Sequence, residues 1–480
     1  MTAAVACTTD RDEQPSNTVA RWAGLLLLAF AGPVVVVVVH QGIVYDDPFI
    51  LMRYGQHLAD GAGWRFNLGA DTNNAVTSPL YVLLIAAGKA LGASPIAASL
   101  FIYVAAWGLG GIALARILAN DGRALAGWIA CGLYSIDPLL ANVRGMETSV
   151  YLVLILAAIW TFQRQRWITM GCLLALLAIA RSDAILLAAA FLVWLVLRRR
   201  FAAAALAATP LGAGYVVWTY ALWKLTGTAF PSSLAAKMAQ RDSGQWGGQF
   251  SYLKGLNPYA ISGSEAPHPL TALIVAPLLI AAIFGTVTAI RRHEFALPAL
   301  AVAAAIVLVE YGFVLRLPMY YWHYAAFNMW VVAGAAYGIV EAAAQQQRLR
   351  IAAALLTAVI AVGFIAGVDL APKAGRAPYR QVAEWIDRDT KAPHPTVAAS
   401  EFGTIGYYSR ADLVDYLGLL DSHAIPSVRH GDFTWWLTQH PAYWVTDGTW
   451  IDAAATKSAD FTDHYRPAAT FGPLTIYKRQ

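Results

Sequence analysis

From about residue 22 to about residue 371 the chain is a series of apolar runs separated by short polar segments, many of them carrying arginine. No water-soluble core can hide so many runs of this length. A bilayer can, because about 20 apolar residues cross its hydrocarbon as a helix. Composition agrees, with 58% of the 480 residues hydrophobic, 13% charged and a mean hydropathy of +0.51. The net charge of +5 is not the footprint of a nucleic-acid-binding protein, since Lys and Arg occur mainly as clusters between apolar runs, the mark of cytoplasmic loops. Cys7, Cys131 and Cys172 lie in the N-terminal tail or inside apolar segments, without pairing or metal-ligand spacing, so neither a disulfide nor a zinc framework is expected.

The first run, Trp22 to His40, follows Arg11 and Arg21 and ends without a small-residue cleavage site, which reads as an uncleaved anchor with residues 1–21 as a cytoplasmic tail. The clusters Arg116/Arg123, Arg164/Arg166, Arg198 to Arg200, Arg291/Arg292 and Arg348/Arg350 then all fall inside, provided that the segment Pro79 to Leu91 does not cross. That segment is only about 13 residues and reads as an interfacial helix in the first outer loop. The remaining spans are expected near 95–116, 124–142, 148–163, 167–181, 184–197, 201–225, 269–290, 295–315, 322–344 and 350–371. With the first they make about eleven. The expected fold is thus a mainly α, polytopic membrane protein over 22–371, set in the plasma membrane among its lipids, with outer loops 41–94 and 226–268.

This parity assigns Asp46/Asp47, Arg144/Glu147, Arg181/Asp183, Lys237 and Arg316/His323 to one side, the outer one. Each arm of the hairpin between Arg166 and Arg198 has only about 15 residues, or roughly 23 Å, against a hydrocarbon core of about 30 Å. Arg181 and Asp183 are therefore expected below the surface, in a polar cavity. After Pro372 charges become frequent and apolar runs shorten to strand length, so residues 372–480 read as a soluble extracytoplasmic α/β domain. In it "YRQVAEWIDRDT" and "DFTWWLTQH" are expected as helices, "TVAAS" and "AYWVT" as strands, and "IGYYSRADLVDYLGLLD" as strand–turn–strand.

Two adjacent carboxylates at a membrane boundary are costly to place, which makes Asp46 and Asp47 the first candidates for chemistry. They precede Pro48 and a segment with apolar residues at helical spacing that ends at Gly61, so the ordinary alternative is that they cap an interfacial helix. Arg53 is placed either to pair with them or to lie among lipid headgroups.

Six blocks in order, "YDDPFILMRYGQHLADGAGWRFN", "TNNAVTSPLY", "RGMETSVYLVL", "ARSDAILL", "GTAFPSSLAAK" and "EFGTIGYYSRADLVDYLGLLD", resemble the GT-C glycosyltransferases, most of all the bacterial branch with the arabinofuranosyltransferases. The resemblance implies inverting transfer of a sugar, arabinofuranose as the first guess, from a polyprenyl-phosphate donor to a glycan, lipid or protein acceptor of the cell envelope. It implies Asp46 as the base, with Asp47 orienting the acceptor or binding a metal. It leaves open a divalent cation (Mg, Mn or Ca), for which Asp47 and Glu147 are the candidate ligands. Such a reaction needs a base for the acceptor hydroxyl and cations for the phosphate, but no general acid, because a phosphate already leaves well.

Arg144, Arg181, Lys237 and Arg316 are the candidate phosphate ligands, each with the alternative of a snorkelling interfacial cation. Glu147 is a candidate for sugar hydroxyls, and Asp183 for neutralising Arg181. Tyr320, Tyr321 and His323 form either an aromatic belt or a sugar platform, and Trp435, Trp436, Tyr443, Trp444 and Trp450 either a glycan surface or a domain core. Two readings of other classes stand beside the enzyme, a transporter of a glycolipid or anionic solute and a non-catalytic polyprenyl-phosphate-binding homologue. A transporter site would sit at the bilayer midplane between repeats, whereas these charges gather at one face.

Overall fold

The computed structural model describes residues 15–39, 42–43, 45–69, 74–246, 250–264, 268–368 and 376–480. Most of the N-terminal tail, Cys7 and the boundary at Pro372 lie outside them. Helix α1 (Pro15–Val39) is followed by two short helices, α2 (Asp47–Ala59) and α3 (Pro79–Ala90). The bundle continues through α4 (Pro95–Asn120), α5 (Ala124–Ser135), α6 (Pro138–Asn142), α7 (Thr148–Gln163), α8 (Trp167–Ala180), α9 (Ala184–Leu197) and α10 (Phe201–Thr226). An excursion carries α11 (Ser232–Asp242) and the single turns α12 (Ser251–Lys254) and α13 (Pro258–Ser262), before α14 (Pro269–Arg291), α15 (Ala296–Val309), α16 (Ala325–Gln345) and α17 (Gln347–Gly367).

Every expected span has its helix. Eight, counting α5 with α6, are long and apolar enough to cross a membrane, while α7, α8 and α9 are shorter apolar helices. Side chains such as Phe101, Val216 and Ile280 face outward, as lipid-facing residues do. The expected span 124–142 is broken at Pro138, where the Asp137 carboxylate accepts from Leu140 N (3.2 Å) and from Asn328 Nδ2 (2.7 Å). Helices α14 and α16 cross where a Cβ on Gly338 would lie 2.1 Å from the Ala281 carbonyl oxygen, so small residues set that approach.

At one end of the bundle, loops that the parity puts together are tied by ion pairs. Arg123 meets Glu294 (2.7 Å) and Glu341 (2.9 Å), and Arg292 meets Glu341 (2.6 Å). The other end carries the C-terminal domain. There α18 (Ala377–Asp389) packs on a five-stranded sheet of order β2-β1-β3-β5-β4, comprising β1 (Thr396–Ala399), β2 (Asp412–Val414), β3 (Tyr443–Thr446), β4 (Tyr465–Phe471) and β5 (Leu474–Arg479). The pairs β1–β2 and β1–β3 are parallel, and β3–β5 and β4–β5 antiparallel.

Two local expectations are corrected. The segment read as strand–turn–strand is helix α19 (Gly403–Tyr408) followed by β2, and the helix expected over 432–440 is only a 3₁₀ turn at Trp435–Gln439. Of the aromatic residues open to either a glycan surface or a domain core, Trp436, Tyr443 and Trp444 are buried in the core. What overrides the local pattern at α19 is a tertiary partner for its N-terminus, supplied from more than 350 residues away.

Candidate active site

Asp46 is the last residue before α2, yet its side chain makes no bond to that helix. Helical dihedrals (φ −79°, ψ −36°) turn it outward, to the N-terminus of α19. Its Oδ1 accepts from Thr404 N (2.8 Å) and Thr404 Oγ1 (2.7 Å), its Oδ2 accepts from Gly403 N, and Arg376 Nη1 stands 3.8 Å from Oδ1. A carboxylate capping backbone N–H groups is the favoured partner of a helix start. Asp46 is thereby committed, buried and paired. A Cβ on Gly403 would lie 2.5 Å from the Asp46 carbonyl oxygen, so only glycine admits this approach.

Further contacts join the same two parts. Arg53 gives its donors to the carbonyls of Phe66 (2.7 Å), Gly406 and Ala411 (2.7 Å), and so neither pairs with the aspartates nor reaches lipid headgroups. Asn67 exchanges two bonds of 2.9 Å with the Leu413 backbone. Asp412 accepts from Leu68 N (3.0 Å) and Gly69 N (2.9 Å). The first loop and the C-terminal domain thus form one latch.

Asp47, half-buried in the first turn of α2, makes no side-chain hydrogen bond or ion pair among the described residues. Its electrostatic neighbours are Lys237, Asp46, Glu147 and Arg376. Burial pushes its carboxyl up to about 6, with Lys237 opposing and Asp46 reinforcing. Lys237, on α11, is pushed down to about 8 by burial against the pull of Asp47. Its ammonium lies 3.7 Å from the Tyr320 ring centre and 5.5 Å from that of Trp322. The Tyr320 hydroxyl donates to Gln240 Oε1 (2.8 Å), and Ser232 at the start of α11 is held by the carbonyls of Asn74 and Leu419.

Arg181, expected to be sunken, is 6% exposed in the loop between α8 and α9. It contacts Asp183 (3.0 Å), Glu147 (3.2 Å) and the Tyr311 hydroxyl (3.1 Å), over the Tyr151 ring. His323 stacks on Tyr311 at 4.4 Å, and its Nδ1 is buried without a hydrogen-bond partner among the described residues. Tyr321 packs on Tyr45 instead, 5.6 Å between centres. Arg144 serves the carbonyls of Gly42 (2.6 Å) and Ala141 (2.9 Å), steadying the turn before α7. Arg316 is exposed, bonded to the Phe313 carbonyl (3.2 Å) and set over Phe250. Among the described residues no three His, Cys, Asp or Glu gather as a metal site; Asp47 has Asp46 and Glu147 as neighbouring acids, and Asp46 is turned to α19.

A furrow of about 470 Å³ runs along α7, α9 and α15, lined by apolar side chains such as Phe191, Trp194 and Ala303, with Arg198 and His293 at its far end. Its lining includes Ile155, Leu187 and Ile306. Four residues separate these from Tyr151, Asp183 and Glu310, a step along the chain toward the end that carries the domain. Residues four apart share a helix face about one turn from each other. The furrow therefore leads to the foot of the Arg181 cluster.

Residues 80–374 match a family model described as predicted membrane protein, DUF2079. The chain belongs to that family. Residues 369–480 of this DUF2079 protein match a second model, a domain of unknown function, DUF8728. No curated protein matches it. Its structure is similar to the Archaeoglobus fulgidus oligosaccharyltransferase in the apo form (TM-score 0.62, 13% identity, 91% of this chain and 70% of that one). It is also similar to ArnT from Cupriavidus metallidurans bound to undecaprenyl phosphate (0.60, 15%, 97% and 98%). A third likeness is to the arabinofuranosyltransferase AftD from Mycobacteria (0.52, 13%, 95% and 41%). This DUF2079 protein has the GT-C fold.

Sequence reasoning missed several members of its charged end. Arg376 and Glu401 stand 2.7 Å apart beside Asp46, Arg376 in the charged stretch after Pro372 and Glu401 at the head of the block "EFGTIGYYSRADLVDYLGLLD", and nothing in the local pattern marks either as a neighbour of Asp46. Glu310 and Tyr311 stand in a π-helical segment, Glu310–Val314, at the end of α15. A lone carboxylate inside an apolar run was the signal that would have found them.

Proposed function

We propose that this protein is an inverting glycosyltransferase that takes a sugar from a polyprenyl-phosphate carrier on the outer face of the plasma membrane and passes it to a cell-envelope glycan, lipid or protein. The observation that carries this reading is the largely apolar furrow, whose lining residues Ile155, Leu187 and Ile306 stand about one helical turn short of Tyr151, Asp183 and Glu310 beside the buried Arg181 cluster. A carrier whose chain lies in the furrow brings its phosphate to the cations. Lys237 takes the phosphate charge as a point charge, and Arg181, whose donors serve Asp183, Glu147 and Tyr311, adds its positive field beside it.

Asp47 is the base in this scheme, because it faces Lys237 and Glu147 with its carboxylate uncommitted, whereas Asp46 is spent on α19. It accepts the proton of the acceptor hydroxyl as that oxygen bonds to the anomeric carbon. The bond from carbon to phosphate oxygen breaks on the opposite face, and the carrier phosphate leaves with the electron pair. Glu147 and the Tyr320 ring border the place of the sugar. Asp47 and Glu147 are also the two carboxylates that would hold a divalent cation, and activity after chelation with EDTA and after return of Mg, Mn or Ca tests that role. Arabinofuranose is the first sugar to assay, in view of the likeness to the mycobacterial enzyme.

The decisive experiment reconstitutes the purified protein in nanodiscs with a panel of polyprenyl-phosphate sugars. Asp47→Asn is expected to lower turnover by about 10²- to 10⁴-fold while donor binding persists, the range of a lost general base. Turnover by Asp47→Asn at the wild-type rate would remove Asp47 from the chemistry.

A further inference from the structure

We propose that Glu310 is a neutral carboxylic acid that donates a hydrogen bond to the phosphate of the carrier lipid, at the point where furrow and charge cluster meet. This rests on the carrier-lipid reading above and assigns that site one further ligand. Three observations place it. Glu310 lies four residues after Ile306, a lining residue of the furrow, and so stands about one turn beyond it, directly after the end of α15. It opens the π-helical segment Glu310–Val314, and π-bulges inside α-helices cluster at functional sites. Glu310 is half-buried, and its Oε2 is buried with no hydrogen-bond partner among the described residues.

The protonation state follows from chemistry. An unpartnered carboxylate at membrane depth is costly, and the group neutralises instead. The charged and titratable groups facing it leave no cation free to hold it ionised. Arg181 and Asp183, from the loop between α8 and α9, are already paired with each other. Tyr151 approaches from α7, and Tyr252 from α12 and His323 lie behind the Tyr311 ring. A neutral carboxyl offers one O–H donor, which fits a phosphate oxygen, whereas an ionised one would repel it. Next to a bound phosphate anion the neutral form is favoured further.

Binding of undecaprenyl phosphate to the full-length protein in nanodiscs, measured from pH 5.5 to 9, separates the possibilities. Glu310→Gln keeps a donor and the shape. It is expected to bind within about twofold of wild type at low pH, and relatively better as pH rises and the wild-type carboxyl ionises. Glu310→Ala is expected to weaken binding about tenfold or more, the factor of a lost hydrogen bond to a charged group. A wild-type affinity in Glu310→Ala, or a Gln variant as weak as the Ala variant at low pH, overturns the assignment. So does a Gln variant that binds much more tightly at every pH, which would mark Glu310 as an ionised, repelling group. Failure of the wild-type protein to bind any polyprenyl phosphate would instead sink the carrier-lipid reading. Unchanged thermal melting of both variants confirms that they are folded.

Discussion

Asp46 and Asp47 are adjacent in the chain and differ in what reaches them. Asp46 is met by two backbone amides and a hydroxyl of α19, Asp47 by the Lys237 ammonium at a distance. Asp46→Ala should therefore destabilise the protein by on the order of 2–4 kcal/mol, read by thermal melting, because it strips several buried donors of their acceptor at once. A full loss of turnover with unchanged melting would contradict that role. The pH profile tests Asp47. A base must be ionised, so kcat/KM should rise with pH through about 6, where Asp47 loses its proton. The phosphate ligand Lys237 must be charged, so kcat/KM should fall through about 8. Lys237→Arg combined with Glu310→Gln, which removes both groups that change charge on the alkaline side, should lose the alkaline limb and keep the acid one. The sequence located the pair but not the division of labour, because what separates two neighbours is a bond spanning 357 positions of chain.

At the scale of elements, the hinge of the design is α19 against α2. Gly403 and Gly406 stand one turn apart on the face that meets Asp46, Arg53 and Phe66, and a Cβ at either would lie within 2.7 Å of its nearest neighbour. Gly403→Ala should lower the melting temperature and, by moving the first turn of α2, lower kcat as well. Gly431→Ala gives the contrast, since that glycine has open surroundings and only its φ of +75° to lose. Equal effects of the two on kcat would argue against a latch. The long apolar helices were legible from hydropathy, because a lipid-facing helix must be apolar whatever it packs against. The short strands and α19 were less so. Their conformation depends on partners elsewhere in the chain, and "GTIGYY" carries no local mark of the carboxylate that caps it. The furrow was invisible for a different reason. Aliphatic residues lining a groove are the same residue types that would fill a core.

The whole molecule is polar in charge from end to end. Arg123, Arg292, Glu294 and Glu341 knit one end of the bundle, while Asp47, Lys237, Arg181 and the C-terminal domain stand at the other. We take the arginine clusters that follow α7, α9, α14 and α16 to lie in the cytoplasm by the positive-inside rule, which in the proposed reading leaves the acceptor and the domain outside. Cysteine labelling tests this directly. In a variant with Cys7, Cys131 and Cys172 replaced by serine or alanine, Pro473→Cys in the exposed turn between β4 and β5 should react with a membrane-impermeant maleimide in intact cells. Gln347→Cys, exposed at the start of α17, should react only after permeabilisation. The reverse pattern would place Asp47 and Lys237 in the cytoplasm, where the proposed acceptors of the envelope do not lie, and the transfer reaction would need a different acceptor even if every contact around Arg181 stood as described.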